Sequence, residues 1–406
     1  MGPWKRTFAA VWLANTITAV GMMAFLPFFP SHLEELGLTD RDLVATWAGV
    51  LYGAAPLCAA LASPLWGAIG DRFGRRLMIL RSMLAITVFV GAMAFATSPW
   101  QLLALRVAQG MFSGFVAPSI TLVSVLAPPE THSRTSGWLS TSMVIGAIVG
   151  PVVGELLRAQ FGAREVYVVV ALLSGLGALL VFAFAHEDEA SRREREPSLG
   201  MRGILRAVRD DLTELRSNRA LRSSTALLFW LQFGLGATNP LLELHVRDLA
   251  SAFGWLVPST GALFFSMSAA NLIAMPLWGR YGDRRGAYPG LKLCALACAA
   301  ALVLQALAPN YESLLAARVA FGAAMAGSAP LAFGVAAAES SAQQRGGAVG
   351  VVFAARAFAV AIAAMIGGAL SAWIGVRGLF LGSGAVLLAY LAWLRRDEAR
   401  AVAPRG

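Results

Sequence analysis

The sequence predicts an all-α membrane protein in which twelve transmembrane helices form two parallel six-helix repeats. Three observations support this fold class. The chain is 57% hydrophobic and only 14% charged, whereas about a quarter of the residues in a soluble domain are charged. Its apolar residues fall into twelve runs, most of about the 20 residues that an α-helix needs to cross a bilayer. Finally, a block of sequence from the first half recurs in the second half.

Each of the twelve runs is predicted to be a helix, because a helix satisfies its own backbone hydrogen bonds in lipid. The predicted spans are residues 6–29, 44–66, 77–97, 101–125, 137–157 and 166–185, then 220–242, 256–278, 289–308, 312–336, 348–372 and 378–394. A polar segment separates spans 6 and 7. It divides the chain into an N-terminal six-helix bundle (1–186), a cytoplasmic linker with an amphipathic helix (187–219) and a C-terminal six-helix bundle (220–406).

The repeat is visible as a constant offset of 212 residues. Residues 64–74 (PLWGAIGDRFG) recur as 276–286 (PLWGRYGDRRG), and residues 102–110 recur as 314–322. Such an offset indicates two copies of one structural unit. Parallel repeats of apolar helices are typical of membrane transporters, whose substrate path lies between the two halves.

The distribution of basic residues predicts the topology. The chain has 33 Lys and Arg against 23 Asp and Glu, and an excess of this size can indicate nucleic-acid binding. Most of these basic residues, however, fall on one side of the predicted spans, including the linker and both termini. The positive-inside rule places that side in the cytoplasm. We therefore expect a multi-pass membrane protein with both termini cytoplasmic and no nucleic-acid partner.

Several functional classes are excluded by the residues that the chain lacks. Neither Lys5 nor Lys292, its two lysines, follows a glycine, so no Gly-Lys-Ser/Thr phosphate loop is present. The four histidines have no metal-ligand spacing. The three cysteines lie inside predicted helices, where free cysteines behave as small apolar residues. We expect no enzymatic activity, no metal and no cofactor.

The loop between spans 2 and 3 carries the most specific motif. Its glycines allow a tight turn and close helix approach, its aspartate suits the exposed N–H groups of a helix start, and its arginines suit carboxylates or lipid phosphates. The motif residues are Gly67, Asp71, Arg72, Gly74, Arg75 and Arg76, with a weaker copy at Gly279, Asp283 and Arg284.

This motif closely resembles the signature loop of the major facilitator superfamily, and the resemblance covers essentially the whole chain. It implies that the loop holds the cytoplasmic side closed in the outward-facing state, with Asp71 at the start of span 11. For Arg75 and Arg76 the alternative is a purely topological role.

Span 4 carries a second motif, Arg106, Gln109 and Gly110. It resembles the Arg motif of proton-coupled members of the superfamily, which is thought to influence the protonation of a neighbouring carboxylate. The alternative is a structural arginine that bonds to backbone carbonyls.

Span 5 carries the third motif, a strip of small residues with a proline. Glycines four residues apart let another helix approach closely, and the proline bends its helix. The residues are Gly146, Gly150, Pro151 and Gly154. This pattern resembles the antiporter motif of the twelve-helix drug:proton antiporters, although Glu155 stands where that family usually has another glycine.

The resemblance implies a proton-coupled secondary transporter that exports drugs or toxic amphipathic small molecules by alternating access. Its partners would be the small-molecule substrate, protons and membrane lipids, its energy source the proton gradient, and its working form a monomer. Two alternatives stay open. One is a transporter of a single polar or anionic metabolite on the same fold, and the other is a non-transporting membrane sensor or scaffold.

The proton carrier and the substrate cavity are predicted from residue type and depth in the membrane. Acidic residues near the ends of spans are the candidate proton carriers, in the order Glu155, Glu243 and Glu34. Polar and aromatic residues within the spans are the candidate cavity residues: Asn15, Thr18, Phe25, Ser113, Trp230, Gln232, Phe233, Asn239, Phe353 and Arg356. An intramembrane charge such as Arg356 suggests contact with a polar or anionic substrate, and pairing with Glu339 or with carbonyls of span 2 is its alternative.

Overall fold

In the computed structural model, the helices and turns of this chain are described for residues 3–128, 131–187, 215–249, 259–340 and 345–402, with residues 203, 209, 210 and 213. At several of these positions, Asp71 and Arg72 among them, only the backbone is described. The predicted amphipathic helix of the linker lies for the most part outside the described residues.

Among the described residues, helices cover each predicted span in whole or in part. Those of the first half are α1 (Pro3–Phe25), α2 (Phe29–Glu35), α3 (Arg41–Phe73), α4 (Arg75–Met93), α5 (Pro99–Phe112), α6 (Val116–Leu126), α7 (His132–Phe161) and α8 (Ala163–Phe184). Those of the second half are α9 (Arg219–Thr238), α10 (Leu242–Arg247), α11 (Thr260–Arg285), α12 (Ala287–Leu307), α13 (Tyr311–Met325), α14 (Ser328–Glu339) and α15 (Arg345–Val402).

Ten helical segments in the described part of the chain are long and apolar enough to cross a membrane, and two features reconcile this number with twelve spans. The stretch within α15 counts once, although Gly375 (φ 66°, ψ 172°) divides it into two helices, between the predicted ends at 372 and 378. Helix α9 is not among the ten, but it has 20 residues and matches span 7. Arg219 and Arg222 in its first turn lower its mean hydropathy.

Four predicted spans are interrupted rather than continuous. Spans 1 and 7 each contain a one-turn 3-10 helix, Leu26–Phe28 and Asn239–Leu241, where a proline removes a backbone donor. Span 4 breaks between α5 and α6, where Gly114 has a φ of 121°, and span 10 breaks between α13 and α14. The apolar runs do not signal these breaks, because hydropathy does not register backbone conformation.

The repeat extends to individual hydrogen bonds. Trp66 Nε1 donates to the carbonyl oxygen of Met111 at 2.6 Å, and Trp278 Nε1 donates to that of Ala323 at 2.8 Å. Both members of the second pair lie 212 residues after their counterparts, as the sequence predicts.

The offset is nevertheless not constant along the whole chain. The 3-10 turns with Pro27 and Pro240 are 213 residues apart, and so are Gly162 and Gly375, the left-handed glycines between spans 5 and 6 and between spans 11 and 12. Relative to the first copy, the second copy therefore has one residue fewer between its first two spans and one residue more after its fourth span. In this register the counterpart of Arg356 is Met143, an apolar residue.

The chain divides into two compact units, Met1–Ile204 with Thr260–Phe265 and Leu205–Ser259 with Ser266–Gly406. Within the first unit, α1 packs on α7 and α8, α3 packs on α5, and α4 packs on α8. Within the second unit, α9 and α12 pack on α15. The first turns of α11 thus group with the first unit.

Candidate functional site

The glycine strip of span 5 packs α7 directly onto the backbone of α1. A Cβ atom at Gly146 would lie 2.7 Å from the carbonyl carbon of Ala19, and one at Gly154 would lie 1.8 Å from the carbonyl oxygen of Ala24. At Gly150, between them, a Cβ atom would lie 2.7 Å from another carbonyl oxygen of α1. Side chains at these positions would separate the two helices, so the strip is needed for this contact.

Glu155, which follows the strip, bonds to the start of α11. Its Oε1 accepts from the backbone N–H of Thr260 at 3.1 Å, and its Oε2 accepts from that of Gly261 at 2.9 Å. These N–H groups have no acceptor within their own helix, and the helix dipole favours a carboxylate there. Nearby Arg158 donates to Ser31 Oγ at 3.1 Å. The first candidate proton carrier is thus bonded to backbone and only half-buried.

The other two candidate proton carriers have different surroundings. Glu243 is buried, and its Oε1 accepts from Arg247 Nη2 at 2.9 Å. Glu34 is exposed at the end of α2. Of the two, Glu243 is thus the buried, ion-paired carboxylate and Glu34 is the exposed one.

Arg106 is buried within the first unit. Its Nε donates to the carbonyl oxygen of Leu51 at 2.9 Å and its Nη1 donates to Gln109 Oε1. The rings of Phe25 and Phe29 lie 5.5 and 5.3 Å from the guanidinium carbon. In the described part of the chain these partners include no carboxylate. The geometry matches the backbone-bonding alternative, and a proton-linked role stays a prediction.

The turn in the signature loop is built around a carboxylate from the end of span 6. Gly74 has a φ of 105°, and Glu187 accepts from the backbone N–H groups of Arg75 and Arg76, both at 2.9 Å. A Cβ atom at Gly74 would lie 2.7 Å from Glu187 Oε2, so glycine is required for space as well as for φ. Arg76 Nη2 also donates to the carbonyl oxygen of Phe182 at 2.6 Å.

Glu187 was not predicted as a functional residue. The only signal in the sequence is the acidic run after span 6, Glu187-Asp188-Glu189. Its hydrogen-bond donors are backbone N–H groups, which leave no trace in the residue types of the loop.

The remaining members of the loop motif that are described in full are Gly67, Gly279, Asp283 and Arg284. No heavy atom of the described residues lies within 4 Å of a Cβ atom built on Gly67 or Gly279, and close helix approach at Gly67 stays a prediction. Asp283 and Arg284 are exposed at the end of α11. The side chain of Asp71 lies outside the described part of the chain, so its contact with the start of span 11 stays a prediction.

The candidate cavity residues of the first unit are mostly packed inside it. Asn15, Thr18 and Phe25 are 0%, 1% and 2% exposed, and Asn15 Oδ1 accepts from Ser119 Oγ at 3.1 Å. All three side chains fill the space between α1 and its neighbours in this conformation, and their contact with a substrate stays a prediction. Ser113 is half-buried at the break in span 4.

The candidate cavity residues of α9 and the following turn differ among themselves. Gln232 and Asn239 are buried, and Asn239 Oδ1 accepts from Arg318 Nη2 at 3.0 Å, a structural role. Trp230 and Phe233 are half-buried, with ring centroids 5.5 Å apart. The two rings therefore leave an aromatic surface on α9.

Phe353 and Arg356 lie on α15, the helix on which α9 packs. Phe353 is 59% exposed. Half-buried Arg356 has no hydrogen bond or ion pair with any described residue. Its predicted alternative partner, Glu339, instead accepts from Asn218 Nδ2 at 3.4 Å. The pairing of Arg356 with Glu339 is therefore wrong in this conformation.

Comparison with known proteins gives consistent matches. The family described as Major Facilitator Superfamily matches residues 11–249 and 225–406. The multidrug resistance protein MdtG of Proteus mirabilis is 30% identical over 327 residues, which cover 80% of this chain and 79% of that protein. MdtG of Salmonella dublin is 31% identical over 283 residues, which cover 70% of this chain and 68% of that protein.

Among solved structures, the human organic anion transporter MFSD10 (TETRAN) has a TM-score of 0.69 and 20% identity, covering 97% of this chain and 100% of that one. A POT family transporter in complex with 5-aminolevulinic acid has a TM-score of 0.78 and 14% identity, covering 98% of this chain and 97% of that one. Together with the helices and their internal repeat, these matches show that the chain is a multi-pass membrane protein that belongs to the major facilitator superfamily.

Proposed function

We propose that the chain is a proton-driven secondary transporter that exports drugs or toxic amphipathic small molecules across the bacterial inner membrane by alternating access. The observation that carries the proposal is the contact of the Pro151-containing glycine strip of α7 with the backbone of α1. The corresponding part of α15 keeps only Gly367, whose Cβ would lie 2.5 Å from the carbonyl oxygen of Ala237. The two named relatives, both multidrug resistance proteins, support the same substrate class.

The interrupted spans support a substrate path. Broken helices at membrane depth are typical of transporter binding sites, because unwound backbone is tolerated where it lines a cavity. In this chain, Ser113 lies at the break in span 4, and Trp230 and Phe233 leave an aromatic surface on α9. Aromatic walls with few polar anchors suit varied apolar ligands.

The proposed arrangement in the membrane follows from the charges. Both termini and the linker are cytoplasmic by the positive-inside rule, and the working form is a monomer surrounded by membrane lipids. Asp71 and its loop close the cytoplasmic side. The energy source is the proton gradient, with no cofactor.

Glu155 remains the first proposed proton carrier, followed by Glu243 and Glu34. Its position supports this choice, because Glu155 is the acidic residue that joins the antiporter motif of α7 to the start of α11.

Transport into inverted membrane vesicles tests the proposal. With ethidium as an amphipathic cation, we expect accumulation that requires the proton gradient and stops when an uncoupler is added. Vesicles without the protein are the control. Absence of gradient-dependent transport for a panel of amphipathic dyes would contradict drug export and favour a sensor or scaffold.

A second candidate function, transport of one anionic metabolite, is favoured by a specific observation. Arg356 is a half-buried guanidinium without a hydrogen bond or ion pair to any described residue. A cation at membrane depth is costly unless it is paired or lies next to water, and an anionic substrate would supply a partner. Export of a single anion with no export of cationic dyes would favour this function.

A further inference from the structure

The first turn of α11 is fastened to α7 by one side chain. Glu155 uses both carboxylate oxygens, one for the N–H of Thr260 and one for the N–H of Gly261. A bidentate acceptor satisfies two of the orphan donors that every helix start carries. The interaction lies within the first unit, to which Thr260–Phe265 belongs.

The helix start is shaped to fit this carboxylate. A Cβ atom at Gly261 would lie 2.6 Å from Glu155 Oε2, 2.9 Å from the carbonyl oxygen of Pro151 and 3.1 Å from Val152 Cα. Only glycine at position 261 allows the backbone of α11 to lie against α7 at this distance. Donor, acceptor and space are therefore matched.

The acceptor also sits at a defined place on α7. Glu155 directly follows Gly154, which contacts the carbonyl of Ala24 in α1. The same turn of α7 thus packs against the backbone of α1 through Gly154 and bonds to the backbone of α11 through Glu155. From Ser266 onwards, α11 belongs to the second unit.

We propose that Glu155 and Gly261 form a latch, in which the carboxylate holds the first turn of α11 on the antiporter motif of α7 and must release it during each transport cycle. This proposal deepens the proposed function. The role of the latch in transport rests on that function, whereas the contact itself does not. Glu155 is a positioning residue here: it acts on α11 and needs no contact with the substrate.

Amide hydrogen exchange of the purified full chain tests the latch without any substrate. In Glu155→Ala and Gly261→Ala, we expect exchange in a peptide covering residues 259–265 to accelerate about fivefold or more, as the loss of a helix N-cap predicts. Glu155→Gln, which keeps one acceptor oxygen, should lie between these variants and the unmodified chain. Glu165→Gln, a change at an exposed carboxylate in the first turn of α8, should leave this peptide unchanged.

A peptide from α12 monitors general folding and should not change in any variant. Unchanged exchange at 259–265 in Glu155→Ala would overturn the latch, and so would an acceleration that is equally large in α12. As a second readout, Thr260→Cys should react faster with a maleimide when combined with Glu155→Ala than when combined with Glu165→Gln. Equal reaction rates would overturn the proposal. Both readouts are independent of transport, so the latch and the proposed function can fail separately.

Discussion

At the scale of single residues, three buried or half-buried charged side chains are bonded to backbone groups of another helix. Arg106 donates to the carbonyl of Leu51, Glu187 accepts from two N–H groups of α4, and Glu155 accepts from two of α11. Backbone partners have fixed positions, so each charge fixes the helix that supplies them. These side chains therefore act as structural ties between segments far apart in sequence.

Arg106 should be required for stability even in a protein that is not transporting. Arg106→Ala removes the guanidinium from the Leu51 carbonyl and from Gln109, so we expect a loss of about 1–3 kcal/mol in the free energy of unfolding. Arg106→Lys should recover little, because a point charge cannot reproduce the two directed bonds. Thermal unfolding in detergent measures both, with exposed Arg284→Lys as the control. Wild-type stability of Arg106→Ala would show that these bonds are not needed.

Glu187 offers a test of the turn in the signature loop. Glu187→Gln leaves one of the two N–H groups of Arg75 and Arg76 facing an amide nitrogen, so we expect a loss of about 1 kcal/mol, as for a helix N-cap. Gly74→Ala should cost more, because it adds backbone strain and a clash with Glu187. The measurement is thermal unfolding together with hydrogen exchange at the start of α4. If exchange accelerated in Gly74→Ala but not in Glu187→Gln, the turn would depend on the backbone conformation of Gly74 and not on the hydrogen bonds of Glu187.

At the scale of helices, glycine decides which pairs are in backbone contact. The strip on α7 contacts α1, and Gly110 on α5 would place a Cβ atom 2.4 Å from the carbonyl oxygen of Ala55 on α3. In lipid, where apolar side chains give little drive for association, such close packing is a main source of helix–helix stability. The pattern of small residues therefore predicts contacts that hydropathy does not.

Gly154→Ala should separate α7 from α1. The added Cβ atom would lie 1.8 Å from the carbonyl oxygen of Ala24, and neither backbone can move without disturbing the rest of the strip. We expect destabilisation of about 1–3 kcal/mol, the usual cost of overpacking, and a strong loss of transport. Gly382→Ala is a matched control within α15, since nothing lies within 4 Å of its Cβ position among the described residues. Equal effects of the two substitutions would mean that helix propensity, and not packing, is being measured.

At the scale of the whole molecule, the sequence predicted the internal repeat and the apolar spans. The twelve spans, the paired Trp66 and Trp278 and the glycine strip all follow from residue type and spacing. Two kinds of feature did not follow from it. The breaks in the spans depend on backbone angles, such as the positive φ of Gly114, and the ties of Glu155 and Glu187 depend on backbone donors far away in the chain. Neither feature can be predicted from hydropathy or from the type of the partner residue.

Selectivity is the property of the whole transporter that Arg356 is expected to control. Because its guanidinium has no partner among the described residues, Arg356→Ala removes a charge without breaking a known bond, so stability should change little. Export of an anionic dye such as carboxyfluorescein should fall at least tenfold relative to that of cationic ethidium, which corresponds to about 1.4 kcal/mol of lost interaction. Arg356→Lys keeps the charge and should restore part of the anion export. The measurement is dye uptake into inverted vesicles at matched protein levels. An equal loss for both dyes, accompanied by a lower unfolding temperature, would instead assign Arg356 a structural role.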